Sequence, residues 1–192
     1  MNFLAHLYLS PQNEKIMLGN FFADAVKGKA FNKFEADIRR GIILHRNIDD
    51  YTDHHPVFVR SAKLLQPNYR KYSKVIVDIY YDHFLARYWN DYSERDITDF
   101  VLYVYRLLAR NYSLLPARSR RILPFMIAQN WLAGYANLKD MERVFRGMSR
   151  RTGYKSGMEY AVVDLKKHYD FFLNDFREFF PELIRFVKHL KY

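Results

Sequence analysis

The sequence predicts an all-α protein. Apolar residues recur three and four positions apart along most of the chain, which is the period of a helix face. Only 7 Gly and 6 Pro punctuate 192 residues, too few for the many tight turns of an all-β fold. No segment makes a convincing strand. With 49% hydrophobic residues the chain can bury a large core, and its length reads most simply as one domain, a helical bundle over residues 1–192.

Residues 2–9 are apolar except for Asn2 and His6, and predict a short buried helix broken at Ser10-Pro11. A second helix is expected from Asn13 to Lys27, capped by Gly28 and carrying Asn20 and Asp24 one turn apart. A loop at residues 29–33 leads to a helix from Phe34 to Asp50 or beyond, with Pro56 past its end. Val57 to Leu65 is a short amphipathic helix closed by Gln66-Pro67-Asn68. A long helix follows from Tyr69 to Asp91, and Ser93 or Asp96 caps the next, Ile97 to Tyr112. A loop at Leu115-Pro116-Ala117 leads to a basic patch, Arg118, Arg120 and Arg121. Helical pattern resumes over Pro124 to Tyr135 and Leu138 to Ser149, where Arg143, Arg146, Arg150 and Arg151 form a second basic cluster. Gly153 to Gly157 is a turn. Met158 to Phe179 is an aromatic-rich helix, and Pro181 opens the last one.

Composition bounds the chemistry. The absence of Cys removes disulfides, thiolate metal sites and a cysteine nucleophile, and suits the cytoplasm. A net charge of +10 favours an acidic partner: nucleic acid, anionic lipid or an acidic protein. No apolar run approaches the ~20 residues of a membrane span, and MNFLAHLYLSPQNEK lacks the basic lead and cleavage site of a signal peptide. A phosphate-cradling Gly loop, a nucleophile elbow and a zinc-finger pattern are also missing.

Two stretches carry chemistry. In GIILHRNIDDYTDHH, the residues Ile38, Ile42, His45, Asp49 and Thr52 draw one stripe that begins apolar and becomes ionisable. In DIYYDHFLARYW, a similar stripe runs through Val75, Ile79, Asp82, His83 and Ala86. A lone His on an apolar face is ordinarily a hydrogen-bonded core residue. Two inward stripes that both end in imidazoles and carboxylates point instead to a metal site, because burying such groups unpaired is costly. Asp24, His45, Asp82 and His83 are the expected ligands, a sulfur-free set suited to a hard or borderline divalent ion. Asp49, His6 and Asp78 are further candidates for the catalytic centre, and Arg46 could hold a phosphate oxygen. His54 and His55, just before Pro56, read as loop residues facing solvent or substrate, and His168 and His189 as ordinary helix-face residues. Tyr160, Tyr169 and Phe172 read as core.

The motifs MNFLAHLYLS, LGNFFADAVKG, GIILHRNIDDYTDHHP and DIYYDHFLARYW, with weaker echoes in QNWLAGY and RGMSRR, resemble the acyl carrier protein phosphodiesterases over Met1 to Arg151. The resemblance implies an all-helical fold related to the HD-domain phosphohydrolases. It also implies manganese-dependent removal of 4′-phosphopantetheine from holo acyl carrier protein, with magnesium or iron(II) as other candidate ions, in fatty acid biosynthesis and lipid metabolism. His6, Asp24, His45, Asp49, Asp78, Asp82 and His83 all fall within the matching motifs. The HD superfamily uses a His, an adjacent His-Asp pair and a distant Asp. Here Asp82-His83 stand in the reverse order, as in the phosphodiesterases, so the assignment of individual ligands stays open. Acyl carrier proteins are acidic, so Arg118, Arg120, Arg121, Arg150 and Arg151 are expected to dock the partner, and nucleic acid is not expected. The alternatives are an HD-type nucleotide phosphohydrolase and a non-catalytic basic module that binds nucleic acid or an acidic protein.

Overall fold

A computed structural model describes residues 1–191. Among them there is no strand, and eleven α-helices follow one another. They are α1 (Phe3–Tyr8), α2 (Glu14–Phe22), α3 (Ala36–His54), α4 (Pro56–Tyr69), α5 (Ser73–Arg87) and α6 (Ile97–Arg110), then α7 (Ala117–Ala128), α8 (Trp131–Gly134), α9 (Leu138–Arg151), α10 (Ala161–Lys167) and α11 (Tyr169–His189). No described helix is long and apolar enough to cross a membrane.

The core is built around α5. Ile76, Val77, Ile79, Tyr80, Tyr81, Phe84 and Leu85 are all buried, so apolar residues face most sides of this helix and it must be enclosed by others. Helix α11 covers one side with Phe172, Phe176, Phe179 and Phe180, and the Tyr80 and Phe172 rings meet edge to face at 5.0 Å. Helices α1 and α4 enclose other faces.

Helices α2 and α3 meet backbone to backbone. A Cβ added to Gly19 would lie 2.1 Å from the Ile38 carbonyl oxygen, and one added to Gly41 would lie 2.0 Å from that of Ile16. Neither position tolerates a side chain. Both lie inside helices, where Gly costs ~1 kcal/mol against Ala, so the close crossing is what they serve.

Several boundaries differ from the sequence expectation. Helix α2 ends at Phe22, and a 3-10 turn over Ala23–Ala25 carries Asp24 out of its register with Asn20. Val26 is extended and Gly28 adopts φ +52°, so the predicted single helix to Lys27 breaks before its glycine. A further 3-10 segment covers Gly28–Lys33. Pro56 does not follow a loop but opens α4, and Pro67 lies in the last turn of that helix. Asp96, not Ser93, caps α6, accepting from the Thr98 amide at 2.7 Å. The first basic patch lies on α7, which runs through Pro124. The expected helix 158–179 breaks at His168, and Pro181 sits inside α11 rather than at its start. Burial of Phe179, Phe180 and Leu183 on either side of Pro181 outweighs the ~3 kcal/mol that an internal proline costs. Tyr160, expected in the core, is 65% exposed, whereas Phe172 is fully buried.

Gly41→Ala is expected to force α2 and α3 apart and to lower stability by about 1–3 kcal/mol, the ordinary cost of overpacking. Urea unfolding checks this, with Gly147→Ala, where an added Cβ has nothing within 4 Å, as the tolerated control.

Candidate functional site

The close crossing sets Asn20, one residue after Gly19, against His45, one turn after Gly41. His45 Nδ1 lies 2.9 Å from the Asn20 carbonyl oxygen and 3.1 Å from its side-chain Oδ1. On the other side of Asn20, His6 Nδ1 lies 3.0 Å from the same Oδ1. The amide nitrogen of Asn20 donates to the His6 carbonyl at 2.7 Å and to Ser10 Oγ at 2.9 Å. A carbonyl can only accept, so the amide orientation is determined: Nδ2 faces His6 O and Oδ1 faces the two rings. Both histidines therefore carry their proton on Nδ1, and both direct Nε2 to the far side. The two rings stack at 3.9 Å, 16° from parallel.

Asp49 receives both Nε2 atoms. Its Oδ1 lies 3.1 Å from His6 Nε2, and its Oδ2 lies 3.1 Å from His45 Nε2. Asp24, carried there by the 3-10 turn, brings Oδ1 to 3.3 Å from His45 Nε2. The Met1 carbonyl oxygen lies 3.1 Å from His6 Nε2. The amino group of Met1 is 2.9 Å from Asp78 and 3.6 Å from Asp49. His6, Asn20 and His45 are buried, while the Asp49 and Asp24 side chains are 40% and 69% exposed, so the cluster opens to solvent on its carboxylate side.

The charges follow. Burial, together with the positive charge of His45, pushes the His6 imidazole down to about 4, so it is neutral. Burial works against His45 too, but hydrogen bonds and charge from Asp24 and Asp49 outweigh it and raise His45 to about 9. Asp49 is held far below the usual carboxylate range: burial opposes this, but the two imidazoles and the Met1 ammonium prevail. The hydrogen bond from His45 lowers Asp24 as well.

With His6 neutral and its proton on Nδ1, the Nε2 lone pair faces two acceptors, Asp49 Oδ1 and Met1 O. Three lone pairs directed at one point favour a cation between them. His6, His45 and Asp49 form the group of described residues able to hold a metal ion, their donor atoms all within 4.8 Å of one another. Asp24 lies beside it. In an octahedral site with bonds of ~2.1 Å, neighbouring donors stand ~3.0 Å apart, close to the 3.1–3.3 Å separations found between imidazole nitrogens and carboxylates here. Asn20 is the outer partner that sets both tautomers.

The other expected site residues are placed differently. Asp82 does not join the group. Its Oδ2 accepts from the Leu4 amide at 2.8 Å and its Oδ1 from the Ala5 amide at 3.2 Å, so it caps the first turn of α1. Burial nevertheless raises it to about 7 against those two amides. Next to it on α5, His83 points about 100° away around the axis. Its Nδ1 donates to the Tyr135 carbonyl at 2.7 Å and its Nε2 meets the Tyr169 hydroxyl at 3.2 Å; burial pushes its pKa down. Arg46 donates to the carbonyls of Val26 and Gly28 at 3.0 and 2.9 Å and covers the Phe31 ring, so it secures the segment after Asp24 instead of facing an anion. His55, expected at the surface, is a buried N-cap that accepts from the Val57 amide and meets Glu182 at 3.1 Å. His54 is exposed.

The sequence alone places Asn20 only on a helix, one turn from Asp24. A signal existed in its position: a buried amide between two histidine-bearing segments has few roles other than orienting them. The extent of its engagement depends on the crossing at Gly19, which no local pattern reports.

Comparison with known proteins now bears on the same residues. A family model described as acyl carrier protein phosphodiesterase matches residues 1–183. The chain belongs to the acyl carrier protein phosphodiesterase family. Members named acyl carrier protein phosphodiesterase include one from Photorhabdus laumondii, 32% identical over 185 residues that cover 96% of this chain and 93% of the relative. One from Enterobacter sp. strain 638 is 31% identical, covering 96% of both chains, and one from Yersinia pestis is 30% identical over 98% of both. No solved structure matches the chain. The family match spans every residue of the cluster, from His6 to Asp49, together with α5 and α9.

Asp82→Ala leaves the Leu4 and Ala5 amides unmet in the core. It is expected to lower stability by about 2–4 kcal/mol, as the loss of hydrogen bonds to a charged acceptor does. Urea denaturation of the metal-free protein measures it, and an unchanged midpoint would show that Asp82 does not hold α1.

Proposed function

We propose that this protein hydrolyses the phosphodiester between a serine of holo acyl carrier protein and 4′-phosphopantetheine, giving apo carrier protein and 4′-phosphopantetheine. The observation that carries the proposal is the Asn20-oriented pair of Nε2 atoms converging with Asp49 in a member of this family. His6, His45, Asp49 and Asp24 would hold a divalent ion, with Mn²⁺ the first candidate for a mixed imidazole and carboxylate set. When bound, such an ion supplies positive charge against the phosphoryl oxygens and lowers the pKa of the attacking water.

The residues of the chain do the rest. Asn20 keeps both imidazoles in the tautomer that presents Nε2. Asp49 spans the two rings and fixes their separation. Asp24, ionised and the most exposed member, stands where a proton from water can leave to solvent. Asp78 and the Met1 amino group neutralise one another behind Asp49. Water adds at phosphorus, the bond to the serine oxygen breaks, and that oxygen takes a proton.

The basic residues support an acidic protein substrate. Arg118, Arg120, Arg121, Arg150 and Arg151 are all exposed. None has a side-chain hydrogen bond or ion pair among the described residues. Unpaired guanidiniums on a chain of net charge +10 steer an acidic partner.

Incubating holo acyl carrier protein with the protein and Mn²⁺ is expected to shift the carrier mass down by one phosphopantetheinyl group, and a chelator is expected to stop the reaction. An unchanged carrier mass across a series of divalent ions would overturn the proposal. Replacing the five arginines by Ser is expected to lower kcat/KM about tenfold at low salt and to flatten its salt dependence, while saturated turnover changes less. Initial rates at two salt concentrations, below and above saturation, measure both effects.

A further inference from the structure

A cavity of about 520 Å³ opens beside the cluster. Met1, Asp24 and Asp78 line it, so it is continuous with the site. Its lining is mixed, and Phe3, Phe21, Phe22, Ile122, Trp131 and Met148 supply the apolar part. One face of α9 borders it along Asp140, Val144, Gly147 and Arg151, at helical spacing. Arg118 from α7 and Arg151 from α9 also line it, two guanidiniums without a partner among the described residues.

Gly147 sets this cavity apart. A glycine inside a helix costs ~1 kcal/mol against alanine. At Gly19 and Gly41 the reason is visible, because another backbone occupies the space of a side chain. At Gly147 an added Cβ would meet nothing within 4 Å. Packing does not require glycine there. What its absent side chain preserves is open space on the cavity side of α9.

We infer that this cavity is the chamber for the pantetheine arm of the substrate, and that Gly147 keeps it open. The inference rests on the proposed function. The arm is a long, flexible, uncharged chain with two amides, joined to a phosphate at one end. The cavity matches that chemistry: apolar surface from Phe3, Phe21, Phe22, Ile122, Trp131 and Met148, the side chains of Ser119 and Gln129 for amide groups, and the cluster where the phosphate must lie. It is too small for a segment of the carrier protein itself, since a single helical turn ~5.4 Å long and ~10–12 Å across would fill it. The carrier therefore stays outside, its serine phosphate at Asp24 and Asp49, while the arm runs inward along α9 past Gly147. Remote contacts of this kind place the phosphorus against the cluster.

The test is a size series at Gly147, a residue outside the cluster. Gly147→Ala, Gly147→Leu and Gly147→Trp are expected to raise KM for holo carrier protein progressively, least for Ala and by about tenfold or more for Trp. All three are expected to weaken binding of free 4′-phosphopantetheine, measured calorimetrically, in the same order. Divalent-ion binding and helical circular dichroism should stay unchanged throughout. Wild-type KM and wild-type 4′-phosphopantetheine binding in a folded Gly147→Trp protein would overturn the inference, and Gly147→Leu decides it if the Trp variant does not fold. If the wild type fails to cleave holo carrier protein, the proposed function falls. The loss of 4′-phosphopantetheine binding across the series still decides the chamber, and a wild type that does not bind it refutes the chamber too.

Discussion

The site depends on how closely α2 and α3 cross. Two glycines, Gly19 and Gly41, let the backbones touch, and Asn20 and His45 are registered from that contact. Asn20 follows Gly19 directly, and His45 stands one turn beyond Gly41 on the same side of α3. At an ordinary interhelical distance of 8–10 Å, a side chain would separate the Asn20 carbonyl from His45 Nδ1. Here the two are 2.9 Å apart. The helix that contributes His6 is held by a different device, the Asp82 carboxylate on the Leu4 and Ala5 amides. One crossing and one cap therefore position two imidazoles around a single amide oxygen.

This arrangement gives the electrostatics a direction. Asn20 holds a proton on the Nδ1 side of each ring, and the Nε2 side faces Asp49, Asp24 and the Met1 carbonyl. A strongly basic chain thus contains one locally electron-rich pocket. Its balance comes partly from within, through His45 raised to about 9 and the Met1 amino group beside Asp78. The remaining surface is cationic, including Arg118 and Arg151 at the adjoining cavity. An anionic substrate is attracted by the surface and would be repelled by bare carboxylates, so a cation in the pocket reconciles the two.

Three of the helical glycines contrast in what they exchange a side chain for. Gly19 and Gly41 exchange a side chain for contact between backbones. Gly147 exchanges one for empty space. Both uses look the same in a sequence, as a helix interrupted by its least favourable ordinary residue. Only the neighbouring atoms distinguish a structural glycine from one that leaves room for a ligand.

The sequence by itself determined the helical class, because periodicity and the scarcity of Gly and Pro are local properties. It also determined the family, through motifs contiguous in the chain, and it singled out His6, Asp24, His45 and Asp49, which the fold brings together. Only the tertiary structure decided how the ionisable residues divide. Asp82 and His83 sit on an inward stripe like that of His45 and Asp49, and the stripe says that a residue is buried, not what it meets. For Asp82 the answer is a helix start in need of an acceptor, and for His83 it is the Tyr135 carbonyl. Arg46 likewise found carbonyls, because the chain turns back over it after Asp24. Partners far apart in sequence are set by the crossing of helices, and that crossing rests on close contacts at Gly19 and Gly41 that no single stretch of residues encodes.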